Sequence, residues 1–179
     1  QDPTYIWEQS TTNPYEGTAS AYISYTSTIG ILGEDWMILP QFTVASTDSF
    51  SFFLRPEFVP YPPDSTLILI STTDSAPSSF TTVLATLAEG LNYPTTTTYQ
   101  YYAYSLSAYA GQDIYVAIVN INDYGDGIFI DKVSIGTKPG IDATSYSIDA
   151  APYGAVGATT SPTATFLNNG SSSQTFDVT

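Results

Sequence analysis

The chain has no cysteine and no histidine, and only three basic residues, Arg55, Lys132 and Lys138, against seventeen acids. It therefore forms no disulfide, no thiolate or imidazole metal centre, and no serine or cysteine triad resting on a histidine base. Any metal must be ligated through oxygen, which selects hard cations such as Ca2+. A net charge of −14 repels phosphate backbones and anionic headgroups, so nucleic acid is a poor partner and so is an acidic membrane surface. No apolar run is long enough for a membrane-spanning helix, so membrane insertion is not expected.

The 26 Thr, 21 Ser and 15 Tyr favour extended structure and suit a surface able to carry O-glycans. With a start at Gln1, read as a processed amino terminus, this composition places the protein outside the cell or on its surface.

Apolar residues never recur at helical spacing, and turn-forming residues interrupt the chain every eight to twelve positions or so, as in an all-β sandwich. Strands are expected over 20–25, 37–44, 50–55, 66–71, 80–85, 99–106, 113–120, 127–135, 143–148, 163–167 and 175–178. Alternation along them assigns Trp36, Ile38, Phe50, Phe52, Leu67, Leu69, Ile114, Val116, Ile118, Ile130 and Val133 to the core. Residues 137–141, with Lys138-Pro139-Gly140, read as a linker between a domain at 1–136 and a shorter segment at 142–179.

Asp35-Trp36-Met37-Ile38-Leu39-Pro40, Phe50-Ser51-Phe52, Leu67-Ile68-Leu69-Ile70-Ser71-Thr72-Thr73, Leu106-Ser107-Ala108-Tyr109-Ala110-Gly111-Gln112 and the closing strand 128–135 occur in the order found in choice-of-anchor J domains. Residues 1–136 thus resemble the choice-of-anchor J or cleaved-adhesin family, a jelly-roll β-sandwich related to MAM domains. One departure is Lys132, where the family carries a second acid. Residues 142–179 resemble the first half of the Ig-like domains that often follow such modules. They constitute either part of a longer chain or a strand-exchange tail that links subunits into a filament.

The resemblance implies Ca2+ near the first and last strands, with Asp131 as one carboxylate and Asp35 or Glu16 as its partners. The residues themselves point to a second place. Counting from Asn120, the loop puts oxygen side chains at Asn120, Asn122 and Asp126, with Asp131 in twelfth position, a partial echo of a helix-flanked Ca2+ loop and equally an Asx-rich turn. Phe58 and Tyr61 stand among prolines, where a central strand cannot form, and are candidates to stack on a sugar ring or a partner protein. Asn169-Gly170-Ser171 matches an N-glycosylation acceptor at Asn169.

Catalysis would have to rest on carboxylates alone, and none of Glu8, Glu16, Glu34, Glu57 or Glu89 sits in a recognisable constellation. The expected function is a non-catalytic extracellular adhesion or structural module that meets a protein or glycan at a cell surface and assembles as a homopolymer if strands are exchanged. The alternative is a carbohydrate-binding accessory domain of a secreted hydrolase.

Overall fold

The computed structural model describes residues 6–26, 30, 32–58, 64–88 and 90–137, together with the backbone of 143–149 and 163–168. Tyr61, Asn169 and the strand expected at 175–178 lie outside the described residues. In chain order the strands are β1 (Glu8–Ser10), β2 (Ser20–Ile23), β3 (Gly33–Ile38), β4 (Phe42–Thr43), β5 (Asp48–Pro56), β6 (Ser65–Ser71), β7 (Thr82–Ala88), β8 (Gln100–Ser105), β9 (Asp113–Asn122), β10 (Ile128–Thr137), β11 (Ala143–Asp149) and β12 (Thr163–Asn168). The chain divides into two compact units between Gly136 and Thr137.

The first unit is a jelly-roll sandwich of two antiparallel sheets. One runs β1-β2-β10-β5-β8 and the other β3-β9-β6-β7, with β4 also paired to β9. β3 and β4 are separated at Pro40: Leu39 still donates its N–H to the Val116 carbonyl, but proline has no N–H to continue the ladder. β1, which carries little apolar alternation, was not expected from the sequence.

Between the sheets, Phe50, Phe52 and Leu54 of β5 meet Ile68 and Ile70 of β6, Ile114, Val116 and Ile118 of β9, and Ile128 and Ile130 of β10. All are fully buried, each contributing on the order of 1.5–3 kcal/mol through removal from water. Four expected core residues lie on the opposite face of the second sheet. Trp36, Ile38, Leu67 and Leu69 pack there in a smaller cluster with Phe80, Ala117 and Val119. β3, β6 and β9 are apolar on both faces, so alternation alone cannot choose the inner one.

Val133, also expected inside, is exposed. The preceding Lys132 takes a φ of +49°, and one left-handed residue in a strand shifts the pleat and turns the following side chains. In the second unit, β11 and β12 form an antiparallel pair from Ala143↔Asn168 to Asp149↔Thr163.

Candidate functional site

Three places bring chemistry-bearing side chains together. The first is the outer face of the β1-β2-β10-β5-β8 sheet, where Asp131 of β10 projects beside the 11–17 loop. Its Oδ2 accepts the N–H groups of Tyr15 (2.7 Å) and Glu16 (3.2 Å), and its Oδ1 accepts the N–H of Lys132 (2.6 Å). The Lys132 ammonium stands 2.6 Å from Glu16 Oε2. Asp131 thus meets Glu16 through the Glu16 backbone N–H, and the Glu16 carboxylate meets the chain's own lysine. The carboxylate of Asp131 is met by N–H donors and that of Glu16 by an ammonium. A groove of about 460 Å3 runs beside this clasp, lined among others by Trp7, Glu8, Gln9 and Ser20.

The second place is the inner end of the β3-β9-β6 sheet, and it holds the other expected ligands apart from Asp131. Asn120 stands directly between Asp35 on β3 and Thr66 on β6, so the three side chains share the inner face in one row. All are buried, and neither amide atom of Asn120 nor Thr66 Oγ1 has a hydrogen-bond partner. One row along, Asn122 accepts from Thr26 N (2.8 Å) and Thr26 Oγ1 (3.1 Å) and donates to Asp64 Oδ2 (2.8 Å) and the Asp126 carbonyl (3.1 Å). Asp64 Oδ2 also accepts the Asp126 N–H.

Asp126 in turn accepts the Phe58 N–H at Oδ2 (2.8 Å), while its Oδ1 has no partner. Burial, followed by the charge of Glu57 among the raising influences, pushes the Asp126 carboxyl up to about 6. Asp64 is likewise pushed up to about 6, chiefly by burial, with the neighbouring Asp126 adding to it and three hydrogen bonds opposing. Gly125 makes this arrangement possible, since a Cβ there would land on the Asp64 carboxylate. Each orphaned group at this end costs about 1–3 kcal/mol when nothing pairs with it. Among the described residues no group of three or more acidic side chains is placed to hold an ion together, so a cation here would draw on amide and hydroxyl oxygens as well.

The third place is aromatic. On the outer face of β5 and β8, Phe53 stacks on Tyr15 with ring centroids 3.8 Å apart and meets Tyr101 at 5.1 Å, while Tyr99 stands edge-on to Tyr15 at 5.4 Å. Tyr15 and Tyr101 are about two-fifths exposed. Beneath the loop, Arg55 donates to Asn13 Oδ1 and to the carbonyls of Pro56 and Glu57 and lies 5.3 Å from the Phe129 ring. Of the two aromatics expected to bind, Phe58 is well exposed on the loop after β5 and Tyr61 lies outside the described residues.

The sequence has tyrosines at 99, 101, 102 and 104; in the fold Tyr102 and Tyr104 pack inward, while Tyr101 and, just before β8, Tyr99 lie on the outer face. It gave no sign that Tyr15, far away in the chain, would join the outward pair. Asp64 carried no signal either, since it sits alone after a proline run.

No family model matches the chain. No curated protein matches it. Among solved structures it is similar to the K1 cleaved adhesin domain of Lys-gingipain from Porphyromonas gingivalis W83, at 15% identity over 76% of this chain and 86% of that one, with a TM-score of 0.59. It is similar also to the family 30 carbohydrate-binding module of a Clostridium thermocellum cellulosomal cellulase, at 10% identity over 74% and 82%, TM-score 0.54. A family 61 carbohydrate-binding module solved with β-1,4-galactotriose matches at 9% identity over 76% and 85%, TM-score 0.53. At these identities the likeness establishes the adhesin-like β-sandwich fold.

Proposed function

We propose that the protein is a non-catalytic binding module of an extracellular or cell-surface protein, and that the outer face of β5 and β8 is where it meets a neutral glycan. The observation that carries this reading is the contiguous set Tyr15, Phe53, Tyr99 and Tyr101. Flat rings left partly open on a rigid sheet stack on the apolar faces of sugar rings at little entropic cost, and the hydroxyls of tyrosine add polar contacts. The net charge of −14 disfavours acidic glycans and leaves neutral ones. Similarity to adhesin domains and to carbohydrate-binding modules is consistent with a surface location and with the choice-of-anchor J and MAM-like relationship read from the sequence.

Affinity electrophoresis and array binding with neutral β-glucans and β-galactans test it. We expect Tyr15→Ala and Tyr101→Ala each to weaken binding by about tenfold, the scale of 1–2 kcal/mol per lost ring contact. Phe58→Ala and Tyr61→Ala report on the loop suggested by the sequence. Binding untouched by the first two substitutions, or no neutral glycan bound at all, would overturn the assignment.

A second reading concerns assembly. Among the described residues β11 and β12 pair only with each other, and a lone two-stranded sheet is of marginal stability. Strand addition from another copy would complete it and join subunits head to tail into a filament. Light scattering before and after deletion of 141–179 decides: a monomer unaltered by the deletion excludes the filament.

A further inference from the structure

We infer, resting on the glycan reading above, that Asp131 is the positioning residue of the binding face: its carboxylate presets the Tyr15 ring on Phe53, so that the face is assembled before a sugar arrives. Tyr15 belongs to the 11–17 loop between β1 and β2, not to a strand. A ring on such a segment is only as well placed as the backbone that carries it.

The loop is held at three points, from three different parts of the first unit. The Tyr99 hydroxyl, just before β8, donates to the Asn13 carbonyl at 2.6 Å, and Arg55 of β5 donates to Asn13 Oδ1 at 3.2 Å. Both act two residues away from the ring. Asp131 of β10 acts on Tyr15 itself, because its Oδ2 accepts the N–H of Tyr15 at 2.7 Å and that of Glu16 at 3.2 Å. Those two N–H groups belong to the peptide planes on either side of the Tyr15 Cα, so one oxygen fixes both planes and with them the direction of the Cα–Cβ bond. The carboxylate is steadied in turn by the Lys132 N–H on Oδ1 at 2.6 Å. Hydrogen bonds to an ionised acceptor are about twice as strong as neutral ones. The Lys132 ammonium, by contrast, holds the exposed side chain of Glu16 rather than Tyr15, and such surface pairs contribute little.

The outcome is seen in the ring. Tyr15 lies 3.8 Å from Phe53 at an interplanar angle of 17°, one face against the sheet, while 43% of the residue stays open to solvent. A sugar that meets a ring already in place does not have to order the loop as it binds. If loss of the clasp left the stacked arrangement populated about one-tenth of the time, the apparent affinity would fall about tenfold, since only that fraction is competent to bind.

The test titrates the full chain calorimetrically with β-1,4-galactotriose and with cellohexaose, in a cycle of wild type, Asp131→Ala, Tyr15→Ala and the double variant. We expect Asp131→Ala to weaken binding about tenfold where Tyr15 is present and less than about twofold where it has been replaced, because the effect passes through that ring. A merely structural role would lower both backgrounds alike. Asp131→Asn, which keeps an oxygen for the two loop N–H groups, should recover most of the affinity. Should Asp131→Ala fail to fold, the wild-type protein still decides: the amides of Tyr15 and Glu16 should be protected from exchange before any sugar is added. Amides protected only once sugar is bound overturn the inference, and so does a loss on Asp131→Ala that is absent or equal in both backgrounds; the glycan reading survives either result. Failure of the wild-type protein to bind either sugar overturns the glycan reading and this inference with it.

Discussion

Asp131 and Asp126 were equals in the sequence, two acids near the closing strand, and the fold gives them opposite circumstances. Asp131 lies at a surface where backbone N–H groups converge on it and a lysine lies alongside. Asp126 is shut inside, one oxygen used and the other left without a donor, at the same end of the sandwich as Asn120 and Thr66, whose side-chain polar atoms are equally unprovided. The contrast teaches that neither acid count nor spacing foretells the surroundings an acid meets in the fold. What separates the two is whether the protein has already supplied the donors.

The stability consequences should differ as sharply. The largest effect is expected from Asn122→Ala, which removes the side chain holding Thr26, Asp64 and Asp126 together and leaves several of their groups buried without partners. We expect a loss of about 3 kcal/mol or more in urea denaturation, and a loss under 1 kcal/mol would mean that water readily takes over these bonds. Asp131→Ala should cost about 1–2 kcal/mol, because the N–H groups it frees lie close to water. Its more specific outcome is a looser 11–17 loop, visible as faster amide exchange at Tyr15 and Glu16. Lys132→Ala should cost less than about 0.5 kcal/mol, an amount that high salt erases, since Lys132 and Glu16 are both more than half exposed.

A pH effect sharpens the same contrast from the edge of the buried end. Tyr22 donates to Glu57 Oε2 at 2.6 Å, and burial first, then this bond, pushes its hydroxyl from 10.0 up to about 12. The folded state thus holds the proton more tightly than the unfolded chain. That contribution is complete below pH 10 and disappears as pH rises from 10 toward 12. Phenolate absorbance and far-ultraviolet dichroism followed together through that window should show ionisation lagging behind that of a free tyrosine. Tyr22→Phe should flatten the alkaline loss of stability.

The sandwich itself was legible because its cause is local. Alternation in 50–55 marked β5 and its buried residues directly, and the apolar run at 113–120 marked β9. The sites were legible only as an inventory. Asp35, Asn120, Asn122 and Asp126 were all named, yet the register that sets Asp35 beside Asn120 and the bonds that tie Asn122 and Asp126 to Asp64 are encoded in no single stretch. The aromatic face was missed for the same reason: Tyr15 reaches Phe53 from a loop whose N–H groups are held by Asp131, more than a hundred residues later. Lys132 stands where the resemblance leads one to expect a second acid, and its ammonium meets Glu16.

One feature of the topology bears on how the chain is made. β10 is inserted between β2 and β5, so the strand that joins the two halves of its sheet is the last of the first unit to be synthesised. Until residues 128–130 have emerged, β2 has no partner on that side and waits for one more than a hundred residues away. Such long-range closure makes for slow folding, on the order of milliseconds to seconds, after synthesis of the unit is complete. With no cysteine in the chain, no covalent intermediate can hold the early strands in place meanwhile. The half-finished sandwich therefore presents open strand edges to its surroundings, and the net charge of −14 opposes their association by mutual repulsion between chains.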